Sequence, residues 1–402
     1  MPDRLNIAWI KNRTKPDTLI VNSTIVISTM NDSSPSNNTA ARKAVADLVT
    51  RWIRPEVRQI SAYHVPVPGD MVKLDAMENP YGWPESLNNT WLEQLQNAAI
   101  NRYPDPAARE LKATLKKAFT IPVDHEVLLG NGSDELIQML AMAVAGPDRV
   151  VMSPEPSFVM YQMIALMVGM KYIGVPLQQD FSLDLDAMLT AIERHNPALI
   201  FLAYPNNPTG NLFDKEAIEA ILQTSQGLVI VDEAYYAFAN SSLLTWLDQY
   251  NNLMIMRTVS KMGMAGLRLG YLVGDRQWLE QIDKMRLPYN INVLTQMTVQ
   301  IALQHIDSFD QQTQAICKDR ETLLQALHQV DGIDVFPSYA NFVLFRVQRG
   351  SSQEVFDRLK EHGVLIKNLG NQPGALHNCL RVTVGTRKEN DKFLQALQQI
   401  VH

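Results

Sequence analysis

The chain has little cysteine: two residues, Cys317 and Cys379, in a length of 402. That is too few for a disulfide framework, and neither cysteine nor histidine recurs at metal-ligand spacing. The sequence therefore predicts no metal site and a reducing, cytoplasmic setting. A basic excess is missing as well. With a formal net charge of −6 the chain has no electrostatic footprint for nucleic acid, and any bound anion must be gripped by local groups. No apolar run approaches the length that spans a bilayer. Residues 1–29 do not show the basic, then apolar, then small-residue order of a secretory signal. Internal repeats and coiled-coil heptads are not found. What is present is 46% hydrophobic and 19% charged residues, over a length that can bury two cores. That is the profile of a globular enzyme.

Residues 1–48 read as a disordered extension, since Asn31 to Asn38 is polar and without periodicity. Our hypothesis is that Met30 is the true start; an intact mass of native protein beginning at Met1 would overturn it. Residues 49–79 read as an N-terminal arm and part of a smaller domain. From Trp52 to Pro68 the arm is punctuated by proline and predicted to be extended, suited to lie on another surface such as a partner subunit. Lys73 to Gly82 reads as a short strand running into a turn. Further on, Asp105-Pro106 places a capping residue before a first-turn proline, ahead of a helix with Ala108, Leu111, Leu115 and Ala118 on one face.

Residues 80–290 read as the large domain. Short apolar runs alternate there with amphipathic segments: Val127–Leu129, Val150–Met152, Tyr172–Val175, Leu199–Ala203, Leu228–Val231, Leu253–Met256 and Tyr271–Val273. Helical patterns at 134–145, 185–195 and 215–224 fall between several of them. The alternation predicts an α/β fold with a doubly wound, mainly parallel sheet. Ligands bind beyond the carboxyl ends of such strands. Polar clusters sit at those ends: Gly130 to Glu135, Tyr204 to Gly210, Asp232 to Tyr235, and Thr258 to Arg268. Residues 291–402 change character. Long helical stretches at 296–306 and 312–330 precede apolar runs at 341–345, 364–367 and 379–384, and a closing helix at 387–401, which reads as a smaller α+β domain.

The clusters have a shared chemistry. Lys261 follows an apolar strand in a loop with Thr258, Ser260 and Arg268. Desolvated there, its amine becomes a nucleophile towards an aldehyde, and the hydroxyls and guanidinium can hold a phosphate. An amine beside a phosphate site is what pyridoxal phosphate requires, because it is held as a lysine Schiff base. Gly130 to Ser133 opens a helix and turns backbone amides towards an anion; taken alone it is equally a plain strand-to-helix turn. Asp232 ends an apolar strand, where a cationic partner such as a protonated pyridine offsets the cost of burial; taken alone it is equally an ordinary helix cap. Tyr235 and Asn207 can donate to a phenolic oxygen. Arg381, in Leu380-Arg381-Val382, calls for a carboxylate or phosphate partner, or an internal salt bridge.

Asn206-Asn207-Pro208-Thr209-Gly210, Asp232-Glu233-Ala234-Tyr235 and Ser260-Lys261 with Arg268 resemble the class I/II aminotransferases of pyridoxal-phosphate fold type I. More narrowly, Leu74 to Pro80, Asn101 to Pro104, Gly130 to Glu135 and Leu380 to Arg387 resemble the histidinol-phosphate aminotransferases, in order from about residue 52 to the C-terminus. The resemblance implies that Lys261 holds the cofactor and then shuttles a proton, and that Asp232 pairs with the pyridine nitrogen. It implies that Asn207 and Tyr235 bind the phenolic oxygen, and that Ser133, Asp134 (through its amide), Thr258, Ser260 and Arg268 cradle the phosphate. Tyr103 would reach the neighbouring subunit's phosphate in a homodimer. Phe158 would stack on the ring, where relatives often carry tyrosine. Arg381 would bind the glutamate carboxylate or the phosphate of histidinol phosphate, with Lys367 beside it in a place often held by arginine. Tyr63 and Asn341 would line the substrate pocket. Arg268 follows Lys261 by seven residues, where many relatives have eight. The implied reaction converts imidazole-acetol phosphate and L-glutamate into L-histidinol phosphate and 2-oxoglutarate, in histidine biosynthesis. The rival readings are an aromatic or broad-range aminotransferase, a decarboxylase of a phosphorylated amino acid, and a non-catalytic cofactor-binding regulator.

Overall fold

Residues 35–61, 66–371 and 374–401 are described in a computed structural model of the chain. The strands are β1 (Val72–Lys73), β2 (Glu126–Gly130), β3 (Val150–Glu155), β4 (Lys171–Pro176), β5 (Leu199–Ala203), β6 (Leu228–Asp232) and β7 (Leu253–Thr258). They continue as β8 (Gly270–Gly274), β9 (Ile333–Val335), β10 (Phe342–Val347), β11 (Val364–Leu365), β12 (Lys367–Asn368) and β13 (Cys379–Thr383).

The seven apolar runs read from the sequence form one seven-stranded sheet in the order β2-β8-β7-β6-β5-β3-β4. Every strand runs the same way except β8, which is antiparallel to both neighbours. The runs are continuous because both faces of the sheet are covered. Alternate residues go to opposite cores: Ile200, Val229, Val231, Leu253 and Ile255 pack on one side, and Phe201, Leu228, Ile230, Met254 and Met256 on the other. This period of two decides the site, because it sends Asp232 and Glu233 to opposite faces.

The C-terminal strands form a smaller antiparallel sheet, β12-β13-β10-β9, and β1 pairs in parallel with β11. A third core forms on the smaller sheet around Phe342, Phe345, Leu380, Val382 and Phe393, which Leu74, Tyr235 and Phe238 also join. The helices at Leu185–His195, Lys215–Thr224 and Arg387–Val401 match their expected spans, while the long C-terminal pair lies at Val293–Gln304 and Ile306–Leu327.

Three expectations differ from what is observed. Residues 35–52 form an α-helix where no regular structure is expected up to residue 48. The run Ala40-Ala41-Arg42-Lys43-Ala44-Val45-Ala46 is made of good helix formers, and that local propensity outweighs the polar residues before it. The arm is not wholly extended, since Pro55–Gln59 makes one helical turn with proline at its first position. The helix after Asp105 begins at Arg109 rather than at Pro106, and the Asp105 carboxylate accepts from the amides of Ala107 (3.1 Å) and Arg109 (3.0 Å). Residues 1–34 and Tyr63 lie outside the described residues.

Candidate active site

Because β2, β5, β6 and β7 point the same way, their polar ends converge on one edge of the sheet. They line a cavity of about 110 Å³ bounded by Ser133, Asp134, Phe158, Asn207, Asp232, Tyr235, Thr258, Ser260, Lys261 and Arg268, together with Met77, Ala203, Pro205 and Ala234. The four clusters read from the sequence are thus one site.

At one end the helix Ser133–Val144 presents its N-terminus, and Glu135 reaches back to accept from the amide of Asn131 (2.6 Å). Gly132 has a left-handed φ of +85°, and a Cβ there would lie 2.4 Å from the Arg268 guanidinium. Glycine is required for that close approach. Arg268 also approaches the Asp134 carboxylate at 3.7 Å. The Ser260 amide donates to Thr258 Oγ1 (3.1 Å), and the two hydroxyls lie 2.9 Å apart. A helix N-terminus, hydroxyls and a guanidinium together make an anion cradle.

At the other end stands Asp232, 4% exposed. Tyr161 donates to its Oδ2 (2.7 Å) and the Ala234 amide to its Oδ1 (3.1 Å). Burial pushes its carboxyl up to about 6, against the pull of those hydrogen bonds. Next door, Glu233 is fully buried against Arg257 at 2.8 Å, and also accepts from Ser242 Oγ (2.9 Å) and the Leu243 amide (2.6 Å).

Between the two ends lie Lys261, Tyr235 and Asn207. The Lys261 amine is 5.8 Å from the Tyr235 ring centroid and donates to the Ala76 carbonyl (3.3 Å). Burial, then the nearby Arg381 charge, lowers its amine to about 8. Asn207 Nδ2 donates to the Tyr235 hydroxyl (3.2 Å), and Arg381 donates to Asn207 Oδ1 (2.5 Å) and to the Asp75 carbonyl (3.2 Å). Lys367 is the register partner of Arg381 on the neighbouring strand, so both cations share one face.

Residues 74–79 form a strap across this site, a role that motif reading does not reveal. Met77, with a left-handed φ of +52°, donates its amide to Thr383 Oγ1 (2.9 Å) and accepts at its carbonyl from Asn341 Nδ2 (3.0 Å). Asn341 is fully buried and is not among the residues that line the cavity; it bonds to Met77, which is. Asn79 and Trp83 donate to the carbonyls of Met262 (3.2 Å) and Gly263 (3.0 Å), clamping the lysine loop. Tyr161 is the other residue that sequence reasoning missed; a phenol in a nearly all-apolar helix was its signal. Tyr103 lies outside the cavity of this chain, 79% exposed and stacked on Tyr289 at 4.3 Å.

An anion cradle, a desolvated amine and a buried carboxylate at the carboxyl ends of one mainly parallel sheet define a pyridoxal-phosphate enzyme of fold type I. The chain belongs to the family "Aminotransferase class I and II", whose sequence profile matches residues 69–397. Pyridoxal phosphate is the cofactor of that family. The chain is 54% identical over 352 residues to "Histidinol-phosphate aminotransferase 2" of Nitrosococcus oceani, covering 88% of this chain and 98% of the relative. Its fold matches the histidinol-phosphate aminotransferase of Clostridium acetobutylicum with a TM-score of 0.76 at 26% identity, over 82% of this chain and 99% of that one. It also matches that of Sinorhizobium meliloti, solved with pyridoxal-5'-phosphate, with a TM-score of 0.77 at 24% identity, over 87% and 97%.

Proposed function

We propose that the chain is a histidinol-phosphate transaminase of histidine biosynthesis. It interconverts L-histidinol phosphate and 2-oxoglutarate with imidazole-acetol phosphate and L-glutamate in two half-reactions. The observation that carries this reading is the pairing of this cofactor donor set with Arg381 and Lys367 on one face beside it. Sequence identity of 54% to a relative of that name supports it.

Bound pyridoxal phosphate supplies an aldehyde for the lysine and a protonated ring that draws electrons from the substrate α-carbon. The residues that would hold it fit its parts: Ser133, the Asp134 amide, Thr258, Ser260 and Arg268 at the phosphate, and Asp232 at the ring nitrogen. Phe158 would lie against the ring, and Asn207 with Tyr235 at the phenolic oxygen. Lys261 would hold the cofactor through its amine, and that amine would move a proton at the substrate α-carbon. An amine lowered to about 8 has an accessible neutral form near neutral pH, as a general base needs. Arg381 orients the substrate by its carboxylate or phosphate, and Lys367 adds a second positive charge there. Burial, then the Arg381 charge, lowers the Lys367 amine.

The enzyme works as a homodimer in the cytoplasm. The exposed Tyr103, stacked on Tyr289, supports a reach to the phosphate of a second copy. The two cysteines, both free, fit a reducing compartment.

The test is the visible spectrum of the purified holoenzyme on adding L-histidinol phosphate without a keto acid. The band of the lysine-bound cofactor should give way to that of its amine form, and 2-oxoglutarate should restore it. Conversion by phenylalanine or tyrosine but not by histidinol phosphate would favour the broad-range aminotransferase. Release of carbon dioxide from an added O-phosphorylated amino acid, with no response to histidinol phosphate, would identify the decarboxylase instead.

A further inference from the structure

The helix Met160–Met167 is almost wholly apolar, and Tyr161 is its single ionisable side chain. The residue is 1% exposed. Its ring lies flat on Phe201 of β5, with centroids 4.5 Å apart and planes 2° from parallel. Its edge meets Phe158, a wall of the cavity, at 5.5 Å and 86°. Packed against both rings, Tyr161 aims its hydroxyl at Asp232 Oδ2, 2.7 Å away.

We propose that Tyr161 is a positioning residue for the reaction: its hydroxyl holds the Asp232 carboxylate turned towards the cavity and ionised, ready for the cofactor's ring nitrogen. This rests on the reading of Asp232 given above. The balance at Asp232 explains why a donor is needed. Burial and the negative charges of Asp134 and Glu233 favour its protonated form, while the Tyr161 hydroxyl and the Ala234 amide favour the ionised one. Tyr161 remains a donor throughout, because burial and the adjacent Asp232 push its phenol well above 10. The same ring supports Phe158, so one side chain sets both the ring-facing wall and the carboxylate.

The experiment is Tyr161→Phe in the full-length enzyme, which removes one oxygen and keeps the stack. Cofactor affinity, titrated into apoprotein, should fall about ten- to a hundredfold, the range of one lost hydrogen bond to a charged group. The acidic limb of the turnover profile should move towards neutral pH, while at pH 5, where the Asp232 carboxyl already holds its proton, the apoprotein's melting temperature stays near that of the parent. Tyr172→Phe is the control, since its phenol also lies in a hydroxyl contact, 2.7 Å from Ser153 Oγ. It should change neither readout. On an Asp232→Asn background, Tyr161→Phe should add nothing further, because its effect runs through that carboxylate. Parental affinity and an unmoved acidic limb in Tyr161→Phe would overturn the proposal, as would equal losses in Tyr172→Phe. If Asp232→Asn alone left cofactor affinity unchanged, the reading of Asp232 would fall and the proposal with it.

Discussion

Asp232 and Glu233 stand side by side at the end of β6, 4% and 0% exposed, yet they face opposite sides of the sheet. Glu233 meets Arg257, whose guanidinium also lies 3.9 Å from the Tyr236 ring centroid. Its remaining positions are filled by Ser242 and the Leu243 amide. Asp232 has neutral donors, a phenol and an amide, and among the described residues no ion pair reaches it. A buried carboxylate closed by an arginine is a structural joint, here tying the end of β6 to β7. One held by neutral donors at the wall of a cavity has kept its charge for a visitor.

The sharpest way to break this comparison is to open the joint. Arg257→Ala should lower global stability by about 3–5 kcal/mol in urea denaturation, because Glu233 is left buried and uncompensated. The counterpart across the sheet should behave in the opposite manner. Asp232→Asn should lower turnover about a hundred- to a thousandfold, the scale of one preorganised electrostatic partner. Its apoprotein should fold at least as well as the parent. The sign follows from Asp232 itself: its carboxyl binds its proton more tightly folded, at about 6, than unfolded, near 3.8. Its contribution therefore destabilises the fold increasingly as pH rises from about 4 through 6, by roughly 3 kcal/mol at pH 7. Urea denaturation of the apoprotein should show Asp232→Asn gaining most at pH 7.5 and less at pH 5. The smallest effect should come from replacing the joint as a unit. Glu233→Leu with Arg257→Met should recover most of what Arg257→Ala loses, since well-packed apolar residues can stand in for a buried pair.

What was legible in the sequence, and what was not, follows the same division. The inner strands of the large sheet were legible because both their faces are buried, so each is an apolar run; the edge strand β4 is half-buried and still reads as one. The clusters at their ends were legible because hydroxyls, glycines, an aspartate and a lysine are conspicuous after such runs. The Glu233–Arg257 pair was hidden, although both residues point to the same face. Seeing it requires knowing that β6 and β7 are neighbours, which the runs alone do not tell. Tyr161 was hidden for a similar reason, its partner being 71 positions away across another strand. The helix at 35–52 was missed because polar residues before it outweighed an alanine-rich stretch that favours helix.

The strap at residues 74–79 also bears on the order in which the chain can become an enzyme. Its backbone is fixed by the Leu74 amide on the Leu365 carbonyl (2.7 Å) and by the Thr383 amide on the Leu74 carbonyl (2.8 Å). Met77 meets Thr383 across 306 positions of sequence. Contacts of such separation form late, after the long intervening loop has been closed by local structure. During synthesis, then, the lysine loop and its sheet can be complete while the strap is held only near its Asn79 end, on the Met262 carbonyl. The strap gains its last anchor, Thr383, only when β13 has left the ribosome, so a nascent chain has its nucleophile before this wall is fixed along its length.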